Sequence, residues 1–406
     1  MPVEFIGMIG TKDQSETKVA PGPAIDKDYT RRFVRAHEDA GFDRVLIGYA
    51  SSQPDGTQVA AYAAAHSERL GFLVAHRPGF VAPTLAARQF ATLDQFSDGR
   101  IGVHIITGGH DAEQQRDGDY LSKDERYART DEYLDIVKLA WASAAPFSYE
   151  GKYYQVTDHQ AGVRSPQEPR IKLYFGGSSA AAYRVGGKHA DTYALWGEPL
   201  AETKQQIDAV NEAAKNAGRA DVPGISVSFR PILGLTEELA WERAHRILAD
   251  TKENIAALRA QWGAKTWGLG GGTPENVGSQ RLLAAVAKGE LHDRALWTPI
   301  AAASGAGGNS TALVGTPETV AQALLDYVDI GVTTLLIRGY DPYDDAIDYG
   351  RYVLPIVREE VAKRDAEKAA ASAAAVGDSA AALGDSAAAL GDSAAALGDK
   401  ATAVRA

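Results

Sequence analysis

The sequence predicts an α/β protein of the (β/α)8 or TIM-barrel class, in which eight parallel strands alternate with helices. Short apolar runs rich in β-branched residues recur along the chain, and longer segments with helical patterning separate them, for example Tyr29–Ala40 and Thr84–Phe96. Such alternation implies parallel strands joined by crossover helices, and eight such units close into a barrel. We predict the strands at Val3–Ile9, Arg44–Ile47, Leu70–Ala75, Ile101–Ile106, Lys172–Gly176, Thr192–Leu195, Ile225–Leu233 and Thr334–Ile337.

A doubly wound open sheet is the alternative architecture for the same alternation. Such a sheet carries its phosphate-binding glycines directly after the first strand, where this sequence has Gly10-Thr11-Lys12-Asp13. The spacing Gly-x-Gly-x-x-Gly, which cradles a nicotinamide dinucleotide, does not occur in the sequence. The closed barrel is therefore the preferred prediction.

Composition and charge restrict the classes of function. Of the 406 residues, 45% are hydrophobic and 23% are charged, which is ordinary for a globular protein with a large core. The net charge of -11 argues against nucleic acid and anionic membranes as main partners. There is no cysteine, no run of 18 apolar residues and no signal-peptide pattern at the start. We expect a cytoplasmic enzyme with a small-molecule substrate.

Three segments exceed a minimal barrel, at about residues 108–123, 146–170 and 237–310. We predict a polar loop in the first, a small hairpin around Tyr149–Tyr154 in the second, and an active-site lid in the third, which contains glycine-rich stretches. The reason is that long loops at the carboxyl ends of barrel strands usually wall the active site.

The barrel is expected to span residues 1–365, and residues 366–406 form an alanine-rich tail. From Ala373 the tail repeats with a period of seven that places a glycine in every repeat. A glycine in each repeat destabilises a helix by about 1 kcal/mol. We expect a frayed helix or a disordered segment there.

A candidate anion site lies where the fifth predicted strand ends. Gly176, Gly177, Ser178 and Ser179 precede a helical segment, Ala180–His189. Glycine lets the backbone approach a ligand closely, and the free N–H groups of a helix start bind anions. Serine is also a favoured helix cap, so a purely structural cap is the alternative. Because phosphate sites are common at the carboxyl ends of barrel strands, a phosphate site is favoured.

Further candidates lie near the end of the fourth predicted strand. Thr107, followed by Gly108 and Gly109, leaves room for a flat ring, although a plain turn would use the same residues. His104 could point into the barrel, and Tyr127, in the first turn of the next long helix, could reach a phosphate; structural roles are open for both. The histidines show no metal-ligand spacing, so no metal site is predicted.

Taken together, these segments resemble the FMN-dependent alkanesulfonate monooxygenases of the bacterial luciferase-like family. The resemblance covers about residues 1–360, and as an ordered set its motifs are far more specific than any one of them. The matching stretches are Phe72–Gly79, Pro83–Gln89, Ala91–Asp94, Ser97–Arg100, Thr107–Gly109, Glu125–Tyr127, Tyr174–Ser179, Trp196–Pro199, Thr311–Gly315 and Gly339-Tyr340.

The resemblance implies a barrel that binds reduced FMN (FMNH2), supplied by a separate NAD(P)H:flavin reductase, and that uses O2 to oxygenate a small substrate. By the same resemblance Ser178, Ser179 and Tyr127 hold the FMN phosphate, with Gly177 in the same cradle. Thr107 and His104 are the remaining cofactor-binding candidates. Trp196 and Tyr340 match positions that the sulfonate enzymes keep in the active site. A homo-oligomer, dimer or tetramer, is expected.

Several positions depart from that pattern. Lys12 stands where the sulfonate enzymes have a histidine, and Ser228-Phe229-Arg230 replaces their Arg-x-His pair, so the cation moves by two positions. Because side chains two apart on a strand share a face, we predict that Arg230 faces the flavin and binds an anionic substrate through its planar fork. The rival role is pairing with a carboxylate of the barrel wall. Lys12 is the second predicted cation, and Tyr340 a predicted proton or hydrogen-bond donor.

Two other functions stay open from the sequence alone. One is a deazaflavin-dependent enzyme that transfers hydride on the same fold. The other is a non-catalytic protein that binds or stores flavin. Substrate-dependent oxygen uptake separates the monooxygenase from both.

Overall fold

The computed structural model describes residues 2–262, 274–307 and 311–371. Among the described residues, those from Val3 to Val357 belong to one compact unit, and Pro2 and residues 358–371 belong to a second. In the second unit, residues 358–371 are helical. The predicted tail beyond residue 371 and the glycines at 270–272 lie outside the described residues.

The described residues contain thirteen strands, and eight of them form a closed barrel in which all neighbouring strands are parallel. The strands are β1 Glu4–Ile9, β2 Arg44–Ile47, β3 Gly71–His76, β4 Ile101–Ile105, β5 Phe147–Glu150, β6 Gln155–His159, β7 Lys172–Gly176, β8 Thr192–Trp196, β9 Gly224–Leu233, β10 Leu291–His292, β11 Leu296–Trp297, β12 Ala312–Gly315 and β13 Thr334–Ile337. The barrel order is β1-β2-β3-β4-β7-β8-β9-β13, and β13 pairs back to β1. The predicted strands are confirmed to within one residue at each end, and the open-sheet alternative is wrong because the ring closes.

Helices connect successive barrel strands and cover the outside of the ring. They are α1 Lys27–Asp39, α2 Gly56–Ala64, α3 Pro83–Phe96, α4 Asp111–Arg116, α5 Lys123–Ala142, α6 Ala180–His189, α7 Leu200–Asn216, α8 Glu237–Trp262, α9 Val277–Lys288, α10 Pro299–Ala303, α11 Pro317–Asp329 and α12 Pro342–Asp348, which continues as a π-helix over Tyr349–Val353. The start of α5 is fixed by a capping box, in which the Ser122 hydroxyl accepts from the Glu125 N–H and the Glu125 carboxylate accepts from the Ser122 N–H.

The barrel interior is packed in layers. Ile6, Leu73, Tyr174 and Leu336 form one buried apolar cluster, with one residue from each of four strands. Near the amino ends of the strands, the Glu4 carboxylate accepts hydrogen bonds from the Tyr174 hydroxyl at 2.9 Å and from Arg44 Nε at 2.8 Å. This filled floor leaves the carboxyl ends of the strands as the open end of the barrel.

The insertions contain more regular structure than the sequence indicated. The predicted hairpin is confirmed as β5–β6. The segment expected to be a polar loop contains the short helix α4, whose acidic first turn and basic last turn suit a helix. The long third insertion holds α8, α9, α10 and the antiparallel pair β10–β11, and β11 pairs antiparallel with β12, which directly follows the insertion. Strand β12 was missed by the pattern analysis; it pairs in parallel with the second half of β9, from Arg230 to Leu233.

Candidate active site at the carboxyl ends of the strands

Strand register brings most of the predicted site residues to one end of the barrel. Ile105 pairs with Phe175, so Thr107 and Gly177 leave neighbouring strands at the same level. Trp196, at the end of β8, pairs with Ser228 of β9. Strand β13, which leads to Tyr340, pairs with β9 on its other edge. The carboxyl ends of parallel strands meet at one edge, which is where barrel enzymes place their active sites.

The segment after β7 forms a cradle at the start of α6. Ser179 is the N-cap of α6, and its side chain accepts a hydrogen bond from the Ala182 N–H at 3.2 Å. Gly177 has φ of +147°, and a Cβ there would lie 2.7 Å from the Ala182 Cβ and 3.1 Å from the Tyr127 hydroxyl oxygen. Burial raises the pKa of Tyr127, whose hydroxyl interacts with Ser179, so Tyr127 is a neutral donor at pH 7. Ser179, the Tyr127 hydroxyl and the start of α6 therefore lie together around Gly177, which suits a phosphate. Ser178 interacts with the Tyr183 hydroxyl.

Three buried polar atoms of the predicted site residues have no hydrogen-bond partner among the described residues. They are Thr107 Oγ1, His104 Nδ1 and the Tyr340 hydroxyl. The His104 ring leans over Gly176, where a Cβ would lie 3.3 Å from His104 Nε2. Burial lowers the pKa of His104 to about 4, so its imidazole is neutral near pH 7. Buried polar groups without partners are costly in a folded protein, and those of Thr107 and His104, on and directly after β4, are available to a bound molecule. The Tyr340 ring packs instead in an apolar cluster with Ile232, Trp297 and Val314.

Arg230 is buried and its guanidinium is extensively hydrogen-bonded. Nη1 and Nη2 donate to the two Glu16 carboxylate oxygens at 3.0 and 2.8 Å, and Nε donates to the Arg338 carbonyl at 2.9 Å. Nη2 also donates to the Gly339 carbonyl at 3.0 Å. The guanidinium lies 4.0 Å from the centre of the Tyr340 ring, in a cation–π arrangement.

Arg230 and Lys12, the two predicted substrate-binding cations, have different partners in the structure. Arg230 and Tyr340 are in contact, and the anion that Arg230 holds in this structure is the chain's own Glu16. This corresponds to the rival role considered for Arg230, with the difference that the carboxylate comes from a loop and not from the barrel wall. The active-site roles of Arg230 and Tyr340 stay predictions. Lys12 Nζ donates to the Ala20 carbonyl of its own loop at 3.2 Å, and no described contact joins it to Arg230. A substrate-binding role for Lys12 stays a prediction.

Helix α9 of the third insertion reaches the open end of the barrel. A Cβ on Gly278, in its first turn, would lie 2.9 Å from the Trp196 ring, and a Cβ on Gly109 would lie 2.4 Å from Asn276 Nδ2. Thus α9 packs on Trp196 and its N-cap approaches the loop after β4. This is the position expected of a lid.

Helix α9 is held to the barrel by an ion pair with a buried carboxylate. Arg281 of α9 bonds to the carboxylate of Glu198, which follows β8; the shortest of their contacts is 2.7 Å. Glu198 is only 1% exposed. Burial raises the pKa of Glu198, and the Arg281 charge opposes that rise.

Sequence reasoning missed four charged residues of this region: Glu16, Glu198, Arg281 and Arg338. Glu198 was quoted as part of Trp196–Pro199, but its partner lies 83 residues away, and separation of that size is invisible to a pattern search. Arg338 could have been found, because it lies two residues before Tyr340 and directly after a predicted strand. Glu16 carries no local signal.

A second polar group lies outside this site, on helices α5 and α6. Asp131, Asp135 and His189 bring three possible metal-ligating atoms within 4.8 Å of one another. Lys188 Nζ donates to both carboxylates, at 2.8 and 3.0 Å, so an ammonium already offsets one of their two negative charges. The sequence did not predict this group, and its bonding is that of a structural ion-pair network.

No helix in the described part of the chain combines the length and the apolar character needed to cross a bilayer.

Comparison with known proteins agrees with the fold and with the motifs. Residues 4–334 match the family model described as luciferase-like monooxygenase. A riboflavin lyase, solved with modified FMN and riboflavin, is similar with a TM-score of 0.73 and 22% identity over 89% of this chain and 92% of that chain. The EDTA monooxygenase of Chelativorans sp. BNC1 gives 0.71 and 19%, over 89% and 94%.

The same barrel also occurs in a secondary alcohol dehydrogenase, with a TM-score of 0.61 and 17% identity over 88% of this chain and 99% of that chain. Likeness at this level of identity establishes a shared fold. The family match covers most of the chain, and the chain therefore belongs to the luciferase-like monooxygenase family.

Proposed function

We propose that the chain is an FMNH2- and O2-dependent monooxygenase of the two-component type. It takes reduced flavin from a separate NAD(P)H:flavin reductase and oxygenates a small anionic compound, an alkanesulfonate or related organosulfur compound being the expected class. The observation that carries the proposal is the pair of unpartnered polar atoms of Thr107 and His104, on and directly after β4, the strand next to the one that leads to the cradle at the start of α6.

These residues fit FMN. Ser178, Ser179 and Tyr127 would hold the phosphate, since hydroxyl groups and helix N–H groups are the usual partners of a phosphate monoester. Thr107 and His104 would offer hydrogen bonds to the flavin ring from the end of β4. When bound, reduced flavin supplies the two electrons with which one atom of O2 enters the substrate and the other leaves as water.

The remaining residues would shape the chamber for that chemistry. Trp196, beneath α9, would form an apolar wall that excludes water. Burial raises the pKa of Tyr340, so its hydroxyl is a neutral hydrogen-bond donor throughout the physiological range. Arg230 lies against the Tyr340 ring and supplies positive charge at the side of the chamber formed by β9 and β13.

The buried Thr107 hydroxyl, which has no hydrogen-bond partner among the described residues, allows a direct test of flavin binding at this site. An unpartnered buried hydroxyl costs about 1–3 kcal/mol, so Thr107→Val should raise the free energy of unfolding of the flavin-free protein by about 1 kcal/mol. The same change removes a hydrogen bond to the flavin, so FMN affinity should fall by roughly three- to ten-fold.

Thr251, on α8, is the matched control because its buried hydroxyl is also without a partner among the described residues. Thr251→Val should stabilise the protein and leave FMN affinity unchanged. Chemical denaturation and fluorescence titration with FMN measure the two quantities. Equal effects of the two variants on FMN affinity would remove the support for flavin at this site, and turnover of a deazaflavin without O2 uptake would favour the hydride-transfer alternative.

A further inference from the structure

The loop between β1 and α1, residues 10–26, sends an acidic side chain into the candidate active site. At its tip, Ser15 and Lys18 exchange backbone hydrogen bonds of 3.0 and 3.3 Å, and Glu16 lies inside this turn. The Glu16 carbonyl accepts from Asn254 Nδ2 at 3.0 Å. The Glu16 side chain turns towards Arg230 and is still 36% exposed. It therefore has a short path back to solvent.

Two arginines share this one carboxylate. Arg230 takes both Glu16 oxygens through its fork, and Arg338 Nη2 lies 3.4 Å from each of them. The other terminal nitrogen of Arg338, Nη1, has the thioether of Met8 at 3.6 Å, which is a weak acceptor. Burial alone raises the pKa of Glu16, but the two guanidinium groups outweigh it and hold that pKa far below its usual range.

Charge balance decides what could replace Glu16. Arg230, Arg338 and Glu16 together carry one net positive charge, and removal of the carboxylate would take away the anion that both guanidinium groups share. Loss of a shared anion from a largely buried site is costly. Exchange of Glu16 for another anion avoids that cost. The fork of Arg230 selects an anion that offers two oxygens in one plane, as a carboxylate or a sulfonate does.

We propose that Glu16 is a built-in competitor for the substrate's anionic group, and that a monoanionic carboxylate or sulfonate replaces its carboxylate between Arg230 and Arg338 when the β1–α1 loop moves outward. The exchange conserves the charge of the cluster and the hydrogen bonds of the fork. It makes Glu16 the residue that sets the affinity for anionic substrates. It rests on the proposed function only in assigning the anion to a substrate.

The first test measures anion binding without turnover. Butane-1-sulfonate is titrated by calorimetry into the full-length protein and its Glu16→Gln variant, each with and without FMN. If Glu16 occupies the subsite nine-tenths of the time or more, its removal should raise the affinity roughly ten-fold or more. Asp191→Asn is the matched control, since the two Asp191 carboxylate oxygens also accept from one guanidinium, that of Arg170, at 2.7 and 2.9 Å. The affinity of this variant for butane-1-sulfonate should stay within two-fold of the wild-type value.

Two further measurements complete the test: the binding of a neutral ligand and the proteolysis of the β1–α1 loop in the wild-type protein. Butane-1-sulfonamide should gain nothing in Glu16→Gln. In the wild-type protein, butane-1-sulfonate should accelerate tryptic cleavage after Lys18, because the released loop tip is exposed. Unchanged sulfonate affinity in Glu16→Gln, an equal gain for the sulfonamide, or protection of Lys18 by the sulfonate would overturn the proposal. Absence of FMN binding would instead overturn the flavin function and leave the anion exchange standing.

Discussion

The ion pair between Glu198 and Arg281 joins helix α9 to the barrel, and Arg281→Met tests how much the pair contributes to the free energy of unfolding. Methionine keeps much of the aliphatic volume of arginine and removes the charge. The change leaves the Glu198 carboxylate, 1% exposed, without the three contacts of 2.9, 3.0 and 2.7 Å that Arg281 makes. A carboxylate cannot stay ionised in such surroundings without a cost.

The expected loss of stability follows from the burial of the two partners. Removal of one partner from a buried pair destabilises a protein by about 3–5 kcal/mol. The Arg281 side chain is 28% exposed, so water screens part of the interaction and the lower figure, about 3 kcal/mol, applies. With an unfolding entropy of roughly 0.8 kcal/mol/K for a chain of this length, the melting temperature should fall by about 4 °C.

Glu198→Gln in the Arg281→Met background should restore most of the lost stability, because the uncompensated charge is gone. Burial keeps the pKa of Glu198 in the folded state above its value in the unfolded state. Between those two pKa values the folded state binds more protons than the unfolded state, so the free energy of unfolding falls as the pH rises through that range. The deficit of Arg281→Met should therefore shrink at pH 5, and the double variant should not show this change. Urea unfolding at pH 7 and pH 5 measures both effects.

Arg294→Met is the control on the same insertion, because Arg294 makes an exposed pair with Asp326, and water screens exposed pairs so that they contribute little to stability. If Arg281→Met is no less stable than Arg294→Met, or if the added Glu198→Gln change destabilises further, the anchoring role of the pair is refuted.

Three further results are expected. Changing Ser178 and Ser179 together to alanine should weaken FMN binding ten-fold or more, since a hydrogen bond to a charged group is worth about 1.5–3 kcal/mol; unchanged affinity in an equilibrium titration would mean that the serines only cap α6. Burial lowers the pKa of both His37 and His76 to about 4, below the unfolded value, so the free energy of unfolding should fall as pH drops from 6.5 towards 4; equal urea stability at pH 7 and pH 5 would contradict this. Deletion of Ala373–Ala406 should leave the melting temperature and activity nearly unchanged, and altered assembly in light scattering would show that the tail is functional.

The barrel could be predicted from the sequence because its strands are short, apolar and separated by helical periodicity. Strand β12 escaped because its four residues, Ala312–Gly315, have no alternation of their own and are a strand only through pairing with the overlong β9. Helix α4 escaped because a six-residue helix depends on its terminal charges more than on apolar periodicity.

Site residues could be predicted from the sequence where they form a short motif directly after a strand. Thr107, Ser178 and Ser179 follow strand ends and are found at the open end of the barrel as expected. The state of Arg230 could not be predicted, because the carboxylate that it holds is 214 residues away on an irregular loop. The alternation of side chains along β9 predicts that Arg230 and Ser228 lie on the same face of the strand. It does not predict which loop packs against that face.

The central claim, that this barrel is a reduced-FMN site served by a separate reductase, is tested most directly by anaerobic titration of the full-length protein. The account predicts saturable binding of reduced FMN that is tighter than the binding of FAD or NADPH, followed by substrate-dependent oxygen consumption when O2 is admitted. Saturable NADPH binding with direct reduction of bound flavin by this chain would contradict it.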